Sequence, residues 1–266
     1  MNNRPKKKAA AFTLLEVTVA GALMALLLVV LAETLRQSQS VFRVTSGSND
    51  ASSQLRKVSQ ALQRDILQTN YTFTNTTDST GVPVEGSALW FLSNLNPATH
   101  EPVYMADGSP FWQRNILYYL VMPNNHVGLF GYSCTLAAGP GPLSHDDHCA
   151  HKVLIRKEID FGSATDAINE SNVEALIPGG SIAAYLTRPA GYSVAAMSGE
   201  PGVSTVKVVG QLLLGFEAQR AAGAIRVDVR AVSISRAQRE INIANSSLYN
   251  SRYTVHFSQT LFPQAK

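Results

Sequence analysis

Apolar and polar positions divide this chain into three zones. From Phe12 to Ala32 the run FTLLEVTVAGALMALLLVVLA holds 21 residues and one ionisable side chain, Glu16. As a helix rising 1.5 Å per residue it would be about 30 Å long, the thickness of a bilayer's hydrocarbon layer. Further on, Leu55, Val58, Leu62 and Ile66 recur at spacings of three and four, which predicts an amphipathic helix with one apolar stripe against a body. Gly47 stands between two serines, and Asn49 or Asp50 can cap a new start. A bend or break is therefore expected at residues 46–50. After residue 70 the apolar runs shorten to strand length, at 88–92, 115–122, 152–161, 181–186, 205–219, 224–234 and 252–262. Within the sixth, Ile225, Val227, Val229 and Ala231 alternate with Arg226, Asp228 and Arg230, so one face is expected to be buried. Polar stretches at 70–87, 137–151 and 235–251 read as loops, the last with room for a short helix. The expectation is an α+β fold: a long N-terminal helix packed on an antiparallel β-sheet body.

Charge sharpens the reading of the first zone. The 266-residue chain carries a net charge of +3, but Arg4, Lys6, Lys7 and Lys8 all precede the apolar run, and the remainder of the chain is close to neutral. The basicity belongs to the start, and the interspersed later charges form no stripe for nucleic acid, which is not expected as a direct partner. A basic flank before the run and Glu33 after it favour a cytoplasmic N-terminus and a body on the far side. A cleaved secretory signal and a plain single-pass anchor compete with this reading. However, a secretory apolar region is usually shorter and does not open with a carboxylate.

Glu16 separates these readings. An unpaired carboxylate in hydrocarbon is costly and needs a partner or a proton. If the chain is cut between Ala11 and Phe12, Phe12 gains a free ammonium, which Glu16 of a neighbouring subunit can pair with. Such a contact would compensate both charges and set the stagger between adjacent helices.

The segment KKKAAAFTLLEVTVAGALMALLLVV resembles the N-terminal signal of type IV prepilins and type II secretion pseudopilins: a basic leader, a cleavage point, Phe, Thr, two aliphatics, Glu and a long apolar helix. The resemblance implies a leader of residues 1–11, a prepilin peptidase cut between Ala11 and Phe12, N-methylation of Phe12, and Glu16 as the assembly contact. Ala11 stands where the family nearly always carries Gly. It further implies a transmembrane and filament-core helix at 12–33, a helical extension at 34–69 and a periplasmic body at 70–266. The looser motifs LQRDI, Tyr118 with Tyr119, LIRKE, and LLLGFEAQR followed by IRVDVRAV are similar to J-type minor pseudopilins and W-type minor pilins. A subunit that initiates or caps a type IV pilus or a secretion pseudopilus is then expected. Its partners would be the prepilin peptidase, other minor and major pilins or pseudopilins, the inner-membrane assembly platform, and the lipid bilayer before assembly. Its place would be the bacterial inner membrane, single-pass, with a periplasmic body. An anchored periplasmic binding module is the alternative.

Cys134 and Cys149 are the two cysteines. Outside the cytoplasm they can form a disulfide, and closing a loop of about 15 residues contributes roughly 3 kcal/mol. The neighbouring His145, His148 and His151 offer an alternative zinc-type ligand set with the cysteines. The disulfide is preferred, because a thiolate site needs reduced cysteines. No Walker loop, GxSxG, dinucleotide-binding glycine signature or HExxH occurs, so neither an enzyme nor a cofactor is expected.

Overall fold

From Leu14 the chain runs for more than fifty residues without a proline, and α1 (Leu14–Ile66) takes up that whole stretch. The computed structural model describes residues 13–77, 88–96, 98–123, 152–162, 172–187, 190–232 and 254–263. These fall into two compact units, Met1–Thr45 and Ser46–Lys266.

The first unit is an apolar helix without a core of its own. Every residue from Thr13 to Phe42 is exposed, including Leu14, Leu23, Leu27 and Val30. Its hydroxyls satisfy themselves on the backbone: Thr18 Oγ1 donates to Leu15 O at 2.9 Å and Thr34 Oγ1 to Leu31 O at 2.8 Å. That leaves these polar groups without need of water, as hydrocarbon requires. This one N-terminal helix is long and apolar enough to span a membrane.

In the second unit α1 continues from Ser46 to Ile66, and residues 46–50 are helical. Of the bend or break expected at residues 46–50, the break does not occur: a glycine costs a helix only about 1 kcal/mol, too little to end it without a proline. Ala51, Leu55, Val58, Leu62 and Ile66 are all buried on one stripe, as the spacing predicts.

The stripe packs on an antiparallel sheet in the order β1 (Thr74–Thr77), β2 (Ala88–Ser93), β3 (Arg114–Pro123), β4 (Lys152–Ile159), β6 (Val203–Ala221), β7 (Ala224–Val232) and β8 (Thr254–Leu261). One short strand, β5 (Ala190–Tyr192), pairs in parallel with the end of β3. The helix lies tightly against the sheet at Gly210, where a Cβ would overlap Val58 Cγ2. Just beyond it Leu212 takes a left-handed φ of 57°, and the register of β6 shifts between Leu213 and Gly215. This bulge lets one long strand pair with β4 through its first half and with β7 through its second.

Between β4 and β6, residues 172–187 and 190–198 form a strap over the sheet's second face. Ile177, Ile182, Leu186 and Met197 pack there on Trp90, Leu117, Tyr119, Val153 and Ile155. With α1 on one face and the strap on the other, β2 and β4 are buried at every position. By contrast, β7 alternates Ile225, Val227 and Val229 inward against a more exposed Arg226, Asp228 and Arg230.

Two further expectations need correction. The stretch 181–186 is not a strand but contains a 3₁₀ turn, Ile182–Ala184, because only Ile182 and Leu186 turn inward from the strap. The polar stretch after residue 70 opens with a 3₁₀ turn, Tyr71–Phe73, and strand β1, which pairs with β2 from Thr74↔Phe91 to Thr77↔Ala88. Threonine suits an edge strand, and neighbouring asparagines made the segment read as a loop.

Candidate assembly site

The start of α1 is a capping box. A helix leaves its first amides without partners, and in Thr13-Leu14-Leu15-Glu16 the two polar ends serve each other. The Glu16 amide donates to Thr13 Oγ1 at 3.3 Å, and the Thr13 amide donates to Glu16 Oε2 at 2.9 Å. Thr13 Oγ1 also donates to Glu16 Oε2, at 3.0 Å. The Ser/Thr-x-x-Glu signature was legible in the sequence, whose reading supplied Glu16 with a partner only from outside the chain. Both donors converge on Oε2. A carboxylate at the third helical position also lies at the positive end of the helix dipole. The geometry orients Glu16 along the helix start while its second oxygen, Oε1, takes no hydrogen bond among the described residues.

Ala11 and Phe12 lie outside the described residues, as do Cys134, Cys149, His145, His148 and His151. Among the described residues no group of three or more His, Cys, Asp or Glu side chains is gathered as a metal would require.

The polar centre of the body holds the helix to the sheet. Asp65, fully buried at the end of α1, accepts from Tyr118 Oη at 2.7 Å, from Arg64 Nε at 2.8 Å and from Arg156 Nε. Arg156 Nη1 continues to Glu158 Oε1. Burial pushes the Asp65 carboxyl up, but Arg156, Arg64 and Tyr118 outweigh it and leave it below its ordinary value. Burial and the Asp65 charge together push the Tyr118 phenol well above its ordinary value. Strand parity explains the placement. Leu154, Arg156 and Glu158 alternate toward α1, while Lys157 turns to the strap, where its Nζ donates to Tyr185 O, Thr187 Oγ1 and Glu200 Oε2 at 2.7–2.9 Å. The cleft beside Arg156, Arg64, Arg114 and His100 has space of about 10 Å³, enough for one water and no organic ligand.

Sequence reading missed this network. Its signals were a charged residue on the inner flank of the helix stripe, Asp65 beside Ile66, and two charges at core parity in LIRKE. Comparison with known proteins adds nothing to these features: no protein-family model, no curated protein and no solved structure matches this chain.

Proposed function

We propose that this chain is a minor pilin-like subunit that inserts in the inner membrane and enters a type IV pilus or secretion pseudopilus through its N-terminal helix. The observation that carries the reading is the exposed apolar first part of α1, residues 14–32, whose one acid, Glu16, sits in the first turn. Such a surface is unstable in water and suits lipid or the helices of neighbouring subunits. The FTLLE start after a lysine-rich leader supports cleavage before Phe12, and the new ammonium is the mate that Glu16 of an adjoining subunit would take. The Thr13 cap supports this by fixing the carboxylate at the helix start through Oε2. Catalysis has no part in the proposal; extraction from the membrane is left to an assembly motor.

Intact-mass and N-terminal analysis of the mature protein from its native host tests the class. The expected result is loss of residues 1–11 and one added methyl on Phe12. Glu16→Ala should then leave membrane insertion intact and reduce recruitment into the filament. An uncut start together with an inert Glu16→Ala would instead favour the anchored binding module.

A further inference from the structure

The connection from β4 to β6 carries a pair of carboxyl groups that takes no part in holding α1. Asp160 follows β4 directly, and Glu174, 3% exposed, begins the strap. Glu174 Oε1 is saturated by Asn115 Nδ2 at 2.9 Å, the Phe161 amide at 2.9 Å and the Gly162 amide at 3.2 Å. The same place ties the strap's backbone to the sheet. The Glu174 amide donates to Trp112 O at 3.0 Å, Asn115 Nδ2 donates to Ala175 O at 2.9 Å, and the Ile177 amide donates to Asn115 Oδ1 at 3.0 Å. Asp160 Oδ2 lies 3.1 Å from Arg114 Nη1. The remaining oxygens, Glu174 Oε2 and Asp160 Oδ1, are buried and receive no donor among the described residues, although the two side chains act directly on each other.

Three occupants could reconcile two such oxygens. A calcium ion wants six to eight oxygen ligands, and among the described residues no third His, Cys, Asp or Glu joins the pair. A bridging water donates to both oxygens but leaves two negative charges against one arginine. A single proton removes the excess charge and turns the contact into a strong charge-assisted bond.

We propose that Glu174, carrying a proton, donates it in a hydrogen bond to Asp160 and so forms a pH-sensitive latch that holds the strap against the end of β4. Among the described residues, the charged and titratable groups facing the pair are Arg114 from β3 and the Tyr185 phenol from the strap. Arg64, Arg156 and Glu158, which line the cleft next to Arg114, are engaged with Asp65 and with one another. Burial, with a smaller contribution from Asp160, raises the Glu174 carboxyl to about 7. A raised acid stabilises the fold fully below its unfolded value, and that contribution is lost as pH rises through the folded value. The latch is therefore closed in mild acid and opens as the medium turns alkaline.

The test is hydrogen exchange on the full chain in detergent micelles, between about pH 5.5 and 8.5, corrected for the intrinsic rate. Protection of residues 172–187 should fall by about tenfold or more across that interval. In Glu174→Gln it should stay level, because the amide keeps its acceptor oxygen and donates permanently to Asp160. Should that variant not fold, Asp160→Asn removes the neighbouring charge and donates to Glu174 from the other side, and should move the loss of protection to lower pH. A carboxylic-acid C=O infrared band should disappear from the wild type near pH 7 and be missing from Glu174→Gln. Flat protection in the wild type, or an unchanged profile in both variants, would overturn the latch. So would recovery of high-pH protection by millimolar calcium in the wild type alone, which would assign the oxygens to a cation.

Discussion

Replacing Asp65 by Ala should destabilise the body far more than the loss of one surface charge would. The carboxylate is fully buried, and the side chains it serves include Tyr118, 0% exposed, and Arg156, 5% exposed. Truncation leaves Arg156 with Glu158 alone and the Tyr118 hydroxyl without an acceptor. Removing one member of a buried ion pair costs about 3–5 kcal/mol, and an orphaned buried hydroxyl accounts for about 1–3 kcal/mol of such a loss. A domain of ordinary stability has roughly 5–15 kcal/mol in total, so Asp65→Ala should bring the body close to unfolding. The assay is urea unfolding of the full chain in detergent, followed by tryptophan fluorescence, with the m-value checked for constancy. The same logic makes the combined replacement Asp65→Leu, Tyr118→Phe, Arg156→Met and Glu158→Leu less damaging than Asp65→Ala alone. An apolar substitute leaves no group desolvated without a partner. A loss below about 1 kcal/mol for Asp65→Ala, or a combined variant worse than the single one, would refute the claim that the network is an interdependent buried unit.

Other outcomes rest on the same packing. Because the Asp65 carboxyl lies below its ordinary value in the fold, its contribution is present above the unfolded value of about 4 and lost as pH falls through the lower folded value. Asp65→Asn should therefore flatten the acid limb of a stability-versus-pH curve. Gly210→Ala should cost about 1–3 kcal/mol by thermal unfolding, since its Cβ would overlap Val58 Cγ2; the added change Val58→Ala should cost less in that background than in the wild type. Trp90→Phe removes the Nε1 bond to Ile177 O at 2.9 Å and should speed hydrogen exchange in the strap while sparing α1.

How much of this was legible depends on the range of the interaction. The apolar run, the three-and-four stripe and the alternation in β7 are local patterns, and each became the element its period implies. The capping box was equally local, in Thr13 and Glu16, and was passed over because the glutamate was weighed only as a charge in search of a distant mate. At 181–186 the composition matched a strand, but no sheet edge is offered to it. Its apolar residues serve instead as anchors at Ile182 and Leu186.

Sequence alone thus determined the lengths and faces of the main elements, because helix and strand periods are properties of neighbouring residues along a chain. Only the folded arrangement decided that Asp65 meets Arg156 across 91 positions, that Glu174 returns to Asp160 beside Asn115, and that the second face of β2–β4 is covered. The physical reason is that burial and pairing of charge depend on what lies across a few ångströms of space, a quantity that no period in the chain encodes.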